Sequence, residues 1–457
     1  MEIDQVQAPT DARPEAASAP QARVAVVLAA GRSERLARAS GGGSKALNGL
    51  AGISFVERAV RTLLGSGVEE VFVVVGYHAG PVAAAVNGIA PGRVRAILAK
   101  DWEHGNGASL AAAAPHVEHE ALFVVMMADH LFGDGALKGL LQSDVPTVLV
   151  DPDPSVDVHE EGTRVRVEQG DAIAFGKHLD EPAVDCGVFV LSSEIFECQR
   201  LAALEGDATL AGAVTRFTER RPLRALALPE GTWWHDIDTP EDLVEARRLL
   251  RRSLPKDGDG LVSRFLNRPV STRLSLWVSP ARPSPDLLSW IAFLIGIVAA
   301  ASLSAGLGIA GGILAQVASV LDGMDGEAAR LQIRSAPQGA LLDGVLDRVT
   351  DAAILGGLGL WALDATPSAS AGVLLITLAA VFGSLMSMAS KDRITAHGLP
   401  HADERALSWL LGGRDARMLL VMIFAIAGLP LAALAAVAAT SLLTLVLRVS
   451  FVYRHPR

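Results

Sequence analysis

Apolar and polar positions divide the chain into two parts with different periods. From residue 23 onward, short apolar runs alternate with amphipathic stretches. Val24–Leu28, Val71–Val75 and Leu122–Met127 read as buried strands, and Ser54–Leu64 and Val82–Val86 as helices. Such alternation predicts a mostly parallel sheet covered on both faces. After residue 284 the pattern becomes long apolar segments, near 287–305, 307–321, 340–363, 371–390, 417–430 and 431–452. These predict an all-α domain of six transmembrane helices. Between the two parts, residues 255–283 mix Arg264, Arg268 and Arg273 with Phe265, Leu266, Leu274, Leu276 and Trp277. That mixture predicts an amphipathic segment at the membrane interface. Residues 1–22 are rich in Ala, Pro and Gln without an apolar run, and read as a disordered N-terminus rather than a signal peptide. The expected organisation is therefore 1–22, a soluble α/β domain at 23–254, a linker at 255–283 and a membrane domain at 284–457.

Composition and charge sharpen this picture. The mean hydropathy of +0.35 is high for a soluble protein. Lys and Arg gather before the first apolar segment, at 330–338, at 391–417 and in the tail, and are absent near 306, 364–370 and 430. By the positive-inside rule both termini then face the cytoplasm, in a multi-pass protein of the cell (inner) membrane. A net charge of −10 argues against nucleic-acid binding. Cys186 and Cys198 lack metal-ligand spacing, and no disulfide is expected. Among the histidines, His130 and His235 read as bystanders.

Four carboxylates fall within this apolar part. Asp322 and Asp325 are spaced i, i+3, and Asp343 and Asp347 are spaced i, i+4, so each pair projects from one helix face. Two such helices joined by a turn can aim all four at one spot. Mutual repulsion there calls for cations, and hard oxygen ligands suit Mg²⁺ or Mn²⁺. Gly326 and Gly339 leave room for close approach, and Arg330 offers a planar fork for phosphate.

The run D-x-x-D-G-x-x-A-R-x8-G-x3-D-x3-D, from Asp322 to Asp347, matches the signature of the CDP-alcohol phosphotransferase family at every fixed position. The resemblance implies that Asp322, Asp325, Asp343 and Asp347 hold two metal ions, with Asp347 also the base on an incoming hydroxyl. Gly326, Arg330 and Gly339 would line the CDP site. Lys391-Asp392-Arg393 and Arg414-Asp415 either bind an acceptor phosphate or snorkel toward headgroups.

The soluble part carries its own signature. Ala29-Ala30-Gly31 through Arg35-Leu36, followed by Lys45, resembles the opening of sugar-phosphate and alcohol-phosphate nucleotidyltransferases, with Ser33 where Gly is usual. The implied fold is a Rossmann-like mixed sheet. Ala30 and Gly31 would cradle a triphosphate that Arg35 and Lys45 neutralise. Asn106, Gly107 and Ser109 look like the base-recognising turn. Asp129 matches the first metal ligand; Asp238 is favoured as the second, with Asp236 the alternative. Lys177 and Asp185 resemble the polyol-phosphate side of the pocket.

A nucleotidyltransferase followed by six spans resembles the bifunctional inositol-1-phosphate cytidylyltransferase/di-myo-inositol-phosphate-phosphate synthase family. That resemblance implies CTP and inositol 1-phosphate as substrates and CDP-inositol as the intermediate. It also implies a divalent metal at both sites, a lipid bilayer as partner, and a homodimer through the membrane domain.

Overall fold

The computed structural model describes residues 22–32, 43–256, 258–400, 407, 409 and 412–455. The chain divides into two compact units, Met1–Leu249 and Leu250–Arg457.

In the first unit Val24–Ala29 is buried throughout and lies inside the sheet. It pairs in parallel with Glu70–Val75 on one side and Phe123–Met127 on the other. Alternate residues face opposite layers: Ala25 and Val27 join one apolar core, Val26 and Leu28 the other. A strand buried on both faces explains its unbroken apolar run. Among the described residues the sheet has nine strands, and it is mixed beyond Phe123–Met127 because Val184–Leu191 enters antiparallel. The helix expected at Ser54–Leu64 is Phe55–Gly65, with Ser54 as N-cap accepting a hydrogen bond from the Glu57 N–H at 3.2 Å. The helix expected at Val82–Val86 extends over Ala79–Asn87.

The second unit is helical. Its long helices are Pro285–Ser304, Gly308–Leu331, Pro337–Ala365, Ser370–Ala396, Arg414–Ile426 and Pro430–Arg454. Among the described residues, three helical stretches are long and apolar enough to cross a membrane: Pro285–Ser304, Pro367–Ala396 and Pro430–Arg454. Gly308–Leu331 and Pro337–Ala365 carry the aspartates, and Arg414–Ile426 is short. Small residues let the helices approach closely. A Cβ on Gly357 would strike the Ala300 carbonyl, and one on Gly308 the Ala425 carbonyl.

Burial is inverted along the linker. A π-helical turn at Ser263–Asn267 leads into the helix Arg268–Val278. Ser263, Asn267, Ser271 and Ser275 are buried, whereas Phe265 and Trp277 are 71% and 78% exposed. Its polar face turns inward to meet Glu327, a fully buried carboxylate. Ser271 and Ser275 hydroxyls and the Arg268 guanidinium all donate to Glu327, at 2.7, 2.7 and 2.8 Å.

Candidate functional site

In the first unit, the carboxyl end of the Phe123–Met127 strand delivers Asp129 to the mouth of a cavity of about 780 Å³. Open α/β sheets place ligands at such strand ends. Ala30, Gly31, Lys45, Asn106, Ser109 and Asp238 also line this cavity. Arg35 lies outside the described residues. Lys177 is exposed and does not line the cavity; its carbonyl accepts from Arg164 at 2.9 Å. Asp185 is bound locally, its Oδ1 accepting from the Gly187 N–H at 2.5 Å.

Lys45 Nζ donates to Asp129 Oδ2 and to Asp238 Oδ1, both at 2.5 Å, and lies 3.9 Å from Asp236 Oδ1. Burial alone would lower the Lys45 ammonium, but the surrounding carboxylates outweigh it and hold it above its ordinary value. Burial likewise works against the Asp129 carboxylate, and Lys45 and His130 more than offset it, so Asp129 is held low. Asp236 is different. Desolvation pushes its carboxyl up to about 6.

Asp236 arrives by strand pairing. Trp234–Asp236 runs antiparallel to His130–Phe132, with Asp236 opposite His130. Oxygens of Asp129 and Asp236 and a ring nitrogen of His130 all lie within 4.8 Å of one another. Asp129 Oδ1 and Asp236 Oδ1 are buried without a hydrogen-bond partner. Two unsatisfied anionic oxygens and an imidazole fit a divalent cation. Asp238 instead shares Lys45 with Asp129. Thr239 and Asp242 form a capping box at the Pro240–Ser253 helix: Thr239 Oγ1 accepts from the Asp242 N–H at 3.2 Å, and Asp242 Oδ2 accepts from the backbone N–H groups of Asp238 and Thr239 at 2.9 and 2.7 Å. The acid of this capping box is Asp242, while Asp238 lines the cavity and Asp236 stands with Asp129 and His130.

The turn at Gly105–Ser109 is built by packing. Asn106 Oδ1 accepts from the Leu210 N–H at 2.7 Å, and a Cβ on Gly107 would overlap the Ala208 carbonyl. The bond fixes the Asn106 side chain, whose N–H₂ group can donate to a ligand.

In the second unit, Asp322, Asp343 and Asp347 each present an oxygen within 4.8 Å of the others, and Asp343 Oδ1 is buried without a partner. Asp325 interacts with Asp343, and its Oδ2 accepts from Ser289 Oγ at 2.5 Å. The donor set is all oxygen, which suits Mg²⁺ or Mn²⁺. Gly326 sits beside Arg330, whose Nη2 donates to the Leu254 carbonyl at 2.8 Å, and Gly339 lies near Asp286.

Two residues that the motif does not contain complete this site. Arg414 Nη1 lies 2.5 Å from Asp322 Oδ2, Nη2 2.9 Å from Asp347 Oδ1, and Nε 3.2 Å from Asp351 Oδ1. Asp351 is fully buried and also pairs with Arg417 at 2.9 Å. It continues the four-residue step from Asp343 and Asp347, a signal present in the sequence. Beyond Arg414, a cavity of about 250 Å³ is lined by Lys391, Arg417 and Arg448.

Residues 25–162 match the MobA-like NTP transferase domain, and residues 283–448 the CDP-alcohol phosphatidyltransferase family. A bifunctional IPC transferase and DIPP synthase from Thermococcus kodakarensis is 33% identical over 406 residues, covering 88% of this chain and 89% of the relative. Its counterpart from Aquifex aeolicus is 34% identical over 421 residues, covering 88% and 92%. The solved inositol-1-phosphate CTP transferase of T. maritima is 25% identical, covering 49% of this chain and 91% of that one, with a TM-score of 0.44. With about a third of the aligned residues identical over 88% of this chain and 89% and 92% of these two relatives, the chain belongs to the family of bifunctional IPC transferases and DIPP synthases.

Proposed function

We propose that the chain performs two successive transfers. The first unit joins CTP to inositol 1-phosphate, forming CDP-inositol and diphosphate. The second unit transfers the phosphoinositol group of CDP-inositol to a second inositol 1-phosphate, forming di-myo-inositol-phosphate-phosphate and releasing CMP. The observation that carries this reading is the presence, in one chain, of two carboxylate clusters that each fit a divalent cation and each hold a basic side chain.

In the first step a phosphate oxygen of inositol 1-phosphate attacks the α-phosphorus of CTP and diphosphate leaves. The backbone at Ala30 and Gly31 faces the triphosphate, and Lys45 and Arg35 neutralise it. In the second step a hydroxyl of inositol 1-phosphate attacks the inositol-bearing phosphorus. Asp347 takes the proton, and the cavity lined by Lys391, Arg417 and Arg448 holds the acceptor's phosphate. Gly326, Arg330 and Gly339 line the CDP side. Mg²⁺ or Mn²⁺ held by Asp129 with Asp236 or Asp238, and by the four aspartates of the second unit, would offset charge on the phosphoryl oxygens. The remaining work is positioning.

The six long helices cross the bilayer in this reading, with both termini and both sites cytoplasmic and a homodimer formed through the membrane domain. The exposed apolar face at Phe265 and Trp277 supports an interfacial linker helix. Phosphorus NMR on purified protein given CTP and inositol 1-phosphate tests the proposal. The expected end product is a water-soluble phosphodiester with CMP; a product that partitions into organic solvent would replace the soluble acceptor with a lipid hydroxyl.

A further inference from the structure

We propose that His130 is a metal ligand of the first unit, through Nε2, alongside Asp129 and Asp236. The inference rests on the reading of this unit as a metal-dependent nucleotidyltransferase, and it goes further by naming a nitrogen ligand.

The tautomer comes first. His130 Nδ1 lies 2.8 Å from the Cys186 carbonyl oxygen. A carbonyl only accepts, so Nδ1 carries the proton, and in the metal-binding form of the ring the Nε2 lone pair faces the two carboxylates. Nε2 lies 3.5 Å from Asp236 Oδ1 and 4.0 Å from Asp129 Oδ1. Those two oxygens are the buried, unpartnered ones. That leaves either a proton on Nε2 or a cation among the three groups; at 3.5 and 4.0 Å, with neither oxygen hydrogen-bonded, the geometry favours the cation. Lys45 does not supply it. Its ammonium bonds the other oxygen of Asp129 and stands 3.9 Å from Asp236 Oδ1.

The ring is also held in place as metal-bound imidazoles are. A hydrogen bond from the distal nitrogen to a backbone carbonyl is the usual way to fix such a ring. Trp234 stacks on it at 5.5 Å between centroids. Behind it lies Gly187, at φ +72°, where any Cβ would overlap the imidazole. Three independent features thus point one nitrogen at two oxygens.

Among the described residues the cluster of the second unit is made of carboxylates, so a histidine nitrogen distinguishes the first. A nitrogen ligand suits a transition-metal ion better than Mg²⁺. The first unit should then take Mn²⁺ in preference to Mg²⁺ in direct competition.

The test is pulsed EPR of the full-length protein loaded with Mn²⁺ after selective ¹⁵N-histidine labelling. The expected result is a coupling from a directly bound histidine nitrogen, lost in His130→Asn while Mn²⁺ at the second unit remains. If Mn²⁺ binds the wild-type first unit without that coupling, a proton bridges the cluster and the proposal is overturned; this measurement needs no variant to fold. CDP-inositol formation by the same sample separates the two readings. Product without coupling overturns the ligand assignment alone. Coupling without product leaves the ligand in place and overturns the substrate reading.

Discussion

Arg414 and Asp347 form an ion pair, Nη2 to Oδ1 2.9 Å, at the centre of the aspartate cluster. The same guanidinium reaches Asp322 and Asp351, so one cation organises acids from two helices. Replacing it by an uncharged side chain of similar reach removes that organisation and leaves the fold of the first unit untouched. Arg414→Gln should lower CMP release by about 10²–10³-fold, a loss like that of a single preorganised donor. CDP-inositol formation should be unchanged, as read by chromatography of both nucleotides.

Asp351 and Arg417 are both buried, at 0% and 1% side-chain exposure. Removing one partner leaves an uncompensated charge inside the helical unit. Asp351→Asn should destabilise it by about 3–5 kcal/mol. The double replacement Asp351→Leu with Arg417→Met should recover part of that loss. Thermal unfolding in detergent, followed by helical ellipticity, checks both.

Asp185 gives a pH-dependent prediction. Burial pushes its carboxyl up to about 6 against a backbone hydrogen bond from Gly187. A raised folded-state value means that the protonated form favours the folded state. Its stabilisation is full below the unfolded value near 4 and is lost as pH rises through about 6. Asp185→Asn cannot ionise and keeps an acceptor for Gly187. With its partial exposure taken into account, the variant should exceed wild type by about 1–2 kcal/mol at pH 7 to 8. The difference should vanish near pH 4, measured as the shift in the first unit's unfolding midpoint with pH.

Trp277 lies on the outward apolar face of the linker helix. In liposomes it should be quenched by lipids brominated near the headgroup more than by those brominated near the chain end. The difference spectrum between wild type and Trp277→Phe isolates its signal. Equal quenching at both depths, or none, would remove the helix from the interface.

Some of this was legible because local periods carry it. The spacing of Asp322, Asp343 and Asp347 follows the helix repeat, and their convergence needs only two helices side by side. The burial of Val24–Ala29 on both faces follows from its unbroken apolar run. Asp129 follows from the rule that sheets present ligands at strand ends. Other features depend on pairing between distant segments. His130 reads as a bystander until the three-residue strand Trp234–Asp236 sets Asp236 opposite it, and so short a strand has no detectable period. Asn106 lines the cavity, but its bond to Leu210 joins segments far apart in sequence and is invisible in either one. The linker's polar face reads as solvent-facing until Glu327 takes its hydroxyls.

The division of labour between the two units is tested most directly by Asp347→Asn given CTP and inositol 1-phosphate. Diphosphate release should continue and CDP-inositol accumulate, with neither CMP nor the phosphodiester formed. Loss of diphosphate release along with the second transfer would contradict it.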